Sequence, residues 1–124
     1  MKITSSFVFI ALTVAFTVYG QMAVKWQLSR FGPFPSEPRV QLGFVVTLLL
    51  NPWILSGLAA GLLAALCWMA AVSRTDLSYA YPFVSLTFPS VLLLSWLVFG
   101  ESLTWPKAIG MSLIMVGIAV HARG

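Results

Sequence analysis

The charged side chains of this 124-residue chain lie at the edges of long apolar runs and never near the middle of one. Four runs contain no Lys, Arg, Asp or Glu: 3–24, 40–73, 77–100 and 108–122. A helix needs about 20 apolar residues to cross the hydrocarbon of a bilayer, where the backbone must satisfy its own hydrogen bonds. The runs are continuous rather than alternating, which favours helices over barrel strands. The chain is therefore predicted to be an all-α integral membrane protein.

Composition supports this class and excludes others. Hydrophobic residues make up 60% of the chain and charged residues 8%. The net charge of +4 lies in the connections between the runs, where basic residues meet lipid phosphates. Nucleic-acid binding needs a basic, solvated face, which this distribution does not provide. The single cysteine, Cys67, excludes an intramolecular disulfide and a cysteine-based metal site, and we expect no metal or cofactor.

Helix-ending residues divide the runs into spans. Residues 29–39 contain one glycine and three prolines, which predict a loop. The run 40–73 would reach ~51 Å as one helix, and Asn51-Pro52 divides it because Asn is a favoured N-cap and Pro a favoured first helical residue. We predict a single transmembrane domain over 1–124, with four spans at about 3–28, 52–73, 78–99 and 104–121 and a short interfacial segment at 40–50 after the first loop.

The first run is interpreted as a retained span rather than a signal peptide. It continues to Val24, and no small-residue cleavage site precedes a soluble remainder. Basic residues do not decide which way the chain inserts, because three lie on the side of the N-terminus and four on the other side.

A stripe of polar residues runs along span 1. Thr13, Thr17, Gln21 and Lys25 recur every four residues and so share one slowly drifting face of a helix. Such a stripe can line a path for a polar head group. Alternatively, the threonines bond their own helix carbonyls and Gln21 pairs with a neighbouring helix. The sequence is compatible with both interpretations.

The sequence places no carboxylate near the middle of a span. Asp76 and Glu101 lie at span ends, and Glu101 is expected to bind Lys107 or to cap the short connection. Proton-driven export of cations needs an acid deep in the membrane. We therefore expect a cavity free of acids and a neutral or negative cargo. A phosphate suits that sign, and its candidate ligands are Lys25, Arg30, Arg39 and Arg74.

Span 3 contains a proline that disturbs its helix. Tyr81-Pro82 and Ser85 lie on one face, and Pro82 leaves a backbone carbonyl without its usual donor. Broken helices often surround transporter sites, although a plain packing kink has the same sequence.

Small residues at helical spacing predict close packing between helices. Span 4 carries Gly110 and Gly117, and span 2 carries Gly57 and Gly61. Four spans can hardly enclose a polar path alone. We therefore expect a homodimer, or a heterodimer with a similar four-span subunit.

Four motifs, taken in order, resemble the four-span members of the drug/metabolite transporter superfamily, which contains the small multidrug resistance proteins. In the multidrug branch an essential glutamate lies three residues before the glycine of span 1, where this chain has Thr17. The four motifs are Gly20-Gln21-x-x-x-Lys25, Ala80-Tyr81-Pro82-x-x-Ser85-Leu86-x-Phe88, Gly100-Glu101-x-Leu103-Thr104 and Gly110…Gly117. The first two are more similar to the paired small subunits that flip undecaprenyl-phosphate-linked aminoarabinose.

The resemblance implies a multi-pass transporter subunit of the bacterial inner membrane, not an enzyme, that moves a polyprenyl-phosphate-linked sugar. Two alternatives remain: a drug or metabolite exporter of the same fold that uses Glu101 or no proton coupling, and a non-transporting accessory subunit of a membrane glycosyltransferase. The predicted substrate-binding residues are Lys25, Gln21, Thr17, Tyr81, Ser85, Arg39 and Arg74.

Overall fold

The computed structural model describes the backbone of residues 2–124 and the side chains of residues 5–124. Every regular element in that part of the chain is a helix, which confirms the predicted all-α class. The six helices are α1 (Lys2–Phe31), α2 (Pro38–Leu49), α3 (Pro52–Val72), α4 (Leu77–Val84), α5 (Thr87–Phe99) and α6 (Trp105–His121).

Three stretches are long and apolar enough to cross a membrane: 5–31, 52–72, and 77–99, the last made of α4 and α5 together. The chain is therefore a multi-pass membrane protein. The other two helices, α2 and α6, are apolar but shorter, with 12 and 17 residues. The end of α6 returns to the start of α4, where a ring nitrogen of His121, Nε2, lies 2.9 Å from the carbonyl oxygen of Tyr79.

The first helix extends beyond the predicted boundary at residue 28. It ends at Phe31 because Gly32 adopts a left-handed φ of 87° and is followed by Pro33. The amide of Gly32 still donates to the carbonyl of Leu28 at 3.0 Å. A glycine in this conformation is a common helix stop, since it lacks the Cβ that would clash.

The predicted cap at Asn51 is present and also ties two helices together. Asn51 Oδ1 accepts hydrogen bonds from the amides of Trp53 (2.9 Å) and Ile54 (3.1 Å). Its Nδ2 donates to Oε1 of the buried Gln27 at 3.1 Å. The start of α3 is thereby fixed against the last third of α1, so the two helices run antiparallel.

Close backbone contact holds α1 and α3 together. A Cβ on Gly20 would lie 2.9 Å from the carbonyl oxygen of Gly57, and a Cβ on Gly57 would lie 3.1 Å from that of Gly20. Further along, Thr13 Oγ1 lies 2.8 Å from the carbonyl of Phe9 and 3.4 Å from that of Ala64. Gly57 therefore packs within the chain. Of the two interpretations of the polar stripe, Thr13 fits helix packing rather than a polar path.

At the other end of this pair, α4 packs onto α1 and α3. Ile10, Ala71, Ala80 and Phe83 form a buried apolar cluster that joins the three helices. Just beyond it, the rings of Phe7 and Phe83 meet edge to face at a centroid distance of 5.4 Å. This cluster positions the start of α4 level with the start of α1.

The chain between α4 and α5 is a short break in an otherwise continuous span. Three amides there donate to the carbonyl three residues back, as in a 3₁₀ turn: Ser85 to Pro82, Leu86 to Phe83 and Phe88 to Ser85. Pro82 lies inside α4 and has no amide hydrogen to donate. The break in span 3 expected from this proline is thus present.

The last helix has few neighbours within the chain. None of the residues of α6 is buried. A Cβ added at Gly110 or Gly117 would meet nothing within 4 Å, and the same holds for Gly61 on α3. These three glycines face open space, unlike Gly57.

Candidate functional site

A cleft of about 400 Å³ lies between α1, α5, α6 and the connection from α5 to α6, and we call it the polar cleft. Helix α1 contributes the exposed Gln21, and the connection contributes Glu101. Polar groups therefore converge from separate elements on one space inside an apolar bundle. The lining residues are Gln21, Thr87, Phe88, Val91, Leu92, Ser95, Glu101 and Met111.

The most unusual group in the polar cleft is Thr87. Its side chain is only 9% exposed, and its hydroxyl has no hydrogen-bond partner within the described part of the chain. A buried hydroxyl left unpaired costs roughly 1–3 kcal/mol. Helical threonines usually avoid this cost by bonding a carbonyl one turn back. Thr87 begins α5 directly after the 3₁₀ break, where the regular carbonyl register is interrupted.

An ion pair lies at one end of the polar cleft. Lys25 Nζ is 3.8 Å from Glu101 Oε2, and their side chains are 58% and 45% exposed. A charge-assisted hydrogen bond is normally 2.7–2.9 Å long, so this pair is loose. Because both groups are well exposed, their attraction is weak and each remains able to change partners.

The position of Glu101 corrects two expectations. It pairs with Lys25 rather than Lys107, whose Nζ instead donates to the carbonyl of Ser102 at 3.0 Å. It also lines the polar cleft, so the cavity is not free of acids. Gly100 causes this placement: its left-handed φ of 68° turns the chain sharply at the end of α5 and aims residue 101 back toward α1.

An apolar groove of about 470 Å³ lies between α1, the start of α3 and α5. Tyr19 of α1 lines it, and a 2.8 Å hydrogen bond joins the Tyr19 hydroxyl to that of Ser56. The lining of the groove is almost entirely apolar, so it suits an apolar chain. Its lining residues are Ala15, Val18, Tyr19, Met22, Ala23, Trp26, Trp53, Leu94, Val98 and Phe99.

The remaining predicted site residues lie elsewhere. Tyr81 is 65% exposed and packs against the ring of Trp68 at 5.9 Å, outside the lining of the polar cleft. Ser85 is half-buried at the break between α4 and α5, and Thr17 is half-buried on α1. Arg39 is exposed in the first turn of α2. Of the predicted set, only Gln21 lines the polar cleft. Lys25 reaches the cleft through its ion pair with Glu101 and itself lines a neighbouring cavity at the end of α1.

Arg74 lies at the opposite end of the molecule from Lys25. It follows α3 and lines a separate cavity together with Ser6 near the start of α1. The two basic residues are therefore not ligands of one phosphate, as a single-site interpretation of the sequence would require.

Thr87 and Ser95 were missed in the sequence. Both are buried and line the polar cleft with Val91, at a spacing of four residues that places all three along one side of α5. Two hydroxyls on one side of an apolar span are a usable signal, although packing threonines and serines have the same pattern. Among the described residues no cluster of His, Cys, Asp or Glu is arranged to hold a metal ion.

An apolar bundle that contains a broken helix, a polar cleft and a loose ion pair is typical of a membrane transporter. Residues 3–123 match the EamA-like transporter family. The chain belongs to that family. The match covers nearly the whole chain, and it agrees with the superfamily suggested by the sequence motifs.

Curated relatives extend this assignment. The chain is 30% identical over 128 residues to the probable 4-amino-4-deoxy-L-arabinose-phosphoundecaprenol flippase subunit ArnF of Pseudomonas fluorescens Pf-5, covering 99% of this chain and 92% of the relative. It is 29% identical over 113 residues to the ArnF of Aeromonas salmonicida, covering 90% of this chain and 74% of the relative.

The chain is also similar to the second type of subunit named for this flippase. The ArnE of Pseudomonas aeruginosa PAO1 is 34% identical over 73 residues, which cover 59% of this chain and 64% of the relative. No solved structure matches the chain.

Proposed function

We propose that this protein is a subunit of a flippase that moves a polyprenyl-phosphate-linked amino sugar across the bacterial inner membrane. Four helical units cross the bilayer: α1, α3, α4 with α5, and α6. At 17 residues α6 reaches about 26 Å, close to the ~30 Å of hydrocarbon. Helix α2 lies in the interface. No bond is made or broken in this function.

The observation that carries the proposal is the pairing of one base and one acid at the polar cleft. A head group made of a phosphate and an amino sugar bears one negative and one positive charge. Lys25 binds the phosphate and Glu101 the ammonium group, so both partners of the loose 3.8 Å pair are exchanged for better ones. The cleft remains neutral overall before and after binding.

Two other polar groups that line the polar cleft bind the sugar. Gln21 offers an amide and Thr87 a hydroxyl without a partner in the described structure, and both suit the hydroxyl groups of a sugar ring. The polyprenyl tail stays in the apolar groove, whose Tyr19 and Trp26 lie on the same helix as Gln21 and Lys25. The head group thus travels along α1 while the tail never leaves an apolar environment.

A second subunit completes the path. The Gln21 side chain is exposed in the single chain, and α6 has no buried residue. A polar group facing hydrocarbon costs free energy, so we place a similar subunit against this side. The relatives named ArnE and ArnF support a pair of different subunits.

The free amine of the sugar offers a direct test. The full chain, together with its paired subunit, is reconstituted in liposomes with undecaprenyl-phosphate-linked aminoarabinose. An amine-reactive reagent that does not cross membranes then measures how much lipid reaches the outer leaflet. We expect fast exposure with the wild type, and rates lowered at least tenfold by Gln21→Leu or Lys25→Ala.

Lys107→Ala is the matched control. It removes a base at the same end of the molecule, and the described hydrogen bond of the Lys107 ammonium group goes to the Ser102 carbonyl, so the rate of this variant should equal that of the wild type. Equal rates for Lys25→Ala and the wild type at normal protein levels would contradict the proposed site. A wild type that moves no lipid, yet activates a membrane glycosyltransferase, would favour an accessory role.

The position of Glu101 keeps one other function in view, the export of a cationic drug or metabolite. Its carboxylate lines the polar cleft and is the one acidic group among the described lining residues, so it would attract a free cation. Overexpression followed by resistance profiling against cationic dyes separates the two functions. Strong resistance that disappears with Glu101→Gln, and no lipid translocation, would select the exporter.

A further inference from the structure

A second cavity, of about 330 Å³, lies at the opposite end of the bundle and forms where α1, the α3–α4 connection and the end of the chain meet. We call it the distal cavity. It is separated from Lys25 by the length of α1, since 19 residues of helix from Ser6 to Lys25 span about 28 Å. That distance matches the hydrocarbon thickness of a bilayer. Its lining residues are Ser6, Phe7, Ile10, Arg74, Thr75, Asp76, Tyr79 and Gly124.

The distal cavity, like the polar cleft, is lined by a buried hydroxyl that lacks a hydrogen bond in the described structure. Ser6 is 4% exposed, and its hydroxyl has no hydrogen-bond partner among the residues that the structure describes. Within the described side chains, Ser6 and Thr87 are the two buried hydroxyls left without a hydrogen bond, and each lines one of the two polar cavities. An unpaired buried hydroxyl is costly. In each cavity, a bound ligand that reaches this hydroxyl would supply the missing bond.

The distal cavity also carries one base and one acid. Arg74 and Asp76 both line it, and no ion pair within 4.0 Å joins them in the described part of the chain. Asp76 occupies the N-cap position of α4, yet its side chain makes no cap hydrogen bond. An Asp at this position usually bonds a helix amide. Both charges are therefore available to a ligand.

One polar side chain of the distal cavity, that of Tyr79, is already hydrogen-bonded. The Tyr79 hydroxyl donates to the carbonyl of Ala122 at 3.2 Å, and the backbone of Tyr79 meets His121. Rings of Phe7, Phe83 and His121 pack around Tyr79. This packing makes one rigid wall, and the polar side chains of Ser6, Arg74, Thr75 and Asp76 line the rest of the cavity.

From these observations we infer that the distal cavity is a second binding site for a zwitterionic phosphate-and-amine head group, at the membrane face opposite Lys25. Arg74 binds the phosphate, because a guanidinium matches its oxygens with two parallel hydrogen bonds. Asp76 binds the amine, and Ser6 bonds a sugar hydroxyl. The inference rests on the proposed function and adds its second station: the head group is held at one face before crossing and at the other after it.

Equilibrium binding tests the inference without transport. The full chain in lipid nanodiscs is titrated with a water-soluble farnesyl phosphate linked to 4-amino-4-deoxy-L-arabinose, and the bound probe is counted per chain. We expect the wild type to bind two probes, and Lys25→Ala and Arg74→Ala to bind one each. Arg74→Lys, which keeps the charge, should retain the second probe with weaker affinity. Arg123→Ala removes a nearby exposed base that does not line the cavity and should bind two.

A second probe with arabinose in place of the amino sugar tests the acid. Asp76→Asn should weaken the amine probe at the distal cavity about tenfold and leave the amine-free probe unchanged. Since the Asp76 side chain makes no cap hydrogen bond, this variant should fold normally, and circular dichroism checks that it does. Two bound probes with Arg74→Ala, or equal effects of Asp76→Asn on both probes, would overturn the inference. One probe on the wild type, lost with Lys25→Ala, would overturn it and leave the proposed function standing. No binding at all would overturn both.

Discussion

Gly20 and Gly57 touch through their backbones, with the space for a Cβ on Gly20 only 2.9 Å from the Gly57 carbonyl oxygen. Gln21 and Lys25 follow Gly20 on the same helix. The depth at which α1 packs against α3 therefore sets the position of both side chains. The motif that carries two proposed binding residues begins with the residue that fixes their helix in place.

The first prediction concerns this contact. Gly20→Ala should lower stability by about 1–3 kcal/mol, because the added methyl group meets backbone that cannot rotate away, and the helices must separate. Thermal unfolding in detergent, followed by circular dichroism, measures the change. Gly61→Ala is the matched control: nothing lies within 4 Å of its added Cβ, and alanine favours helix, so stability should be equal or higher. Equal melting temperatures for Gly20→Ala and Gly61→Ala would contradict the close packing.

The second prediction uses the unpaired hydroxyl of Thr87. Thr87→Val keeps the shape of the side chain and removes a buried polar group that has no partner in the described structure, so it should leave stability unchanged or raise it. Lipid translocation should nevertheless fall several-fold, because the hydroxyl binds the head group. The liposome assay and a thermal melt on the same preparation measure both quantities.

Ser90→Ala serves as the comparison for Thr87→Val. The Ser90 hydroxyl donates to the carbonyl of Leu86 at 2.8 Å, so it already has a partner within α5. Its removal should not affect translocation. A lower melting temperature and normal translocation for Thr87→Val would mean that the hydroxyl supports the fold instead.

Much of the fold was predictable because the membrane leaves few choices. The apolar runs and the cap at Asn51 each follow from local physics, and the structure has them. The sequence predicts a loop over residues 29–39 because of its three prolines, whereas α1 continues to Phe31 and ends only at Gly32. Local signals thus locate the helices well and their ends less well.

The site was less predictable because it depends on which helix faces which. The stripe from Thr13 to Lys25 is regular in sequence, yet its first member packs on α3 and its last two meet the polar cleft. A drift of about 40° every four residues is enough to turn the stripe from one neighbour to another. The pairing of Glu101 with Lys25 also depends on a tertiary turn at Gly100, which spacing alone does not reveal.

The third prediction separates ligand binding from the ion pair itself. Exchanging the two charges, with Lys25→Glu and Glu101→Lys in one chain, keeps an opposite-charge pair across the same 3.8 Å gap. If the pair only held α1 to the α5–α6 connection, the double variant would regain the activity that each single variant loses. We expect translocation to stay low, because the phosphate and the amine now meet charges in exchanged places.

The fourth prediction concerns the glycines of α6. Gly117→Leu should weaken association with a second subunit, since Gly117 faces open space in the single chain and small residues let membrane helices approach closely. The fold of the chain itself should survive, because leucine favours helix more than glycine does. Gly43→Leu on α2 is the matched control: its Cβ also meets nothing within 4 Å, but it lies outside α6. Energy transfer between donor-labelled and acceptor-labelled subunits in liposomes should fall for Gly117→Leu alone. Unchanged transfer in both variants would place the interface on another helix, and the polar cleft would then need a different neighbour to cover Gln21.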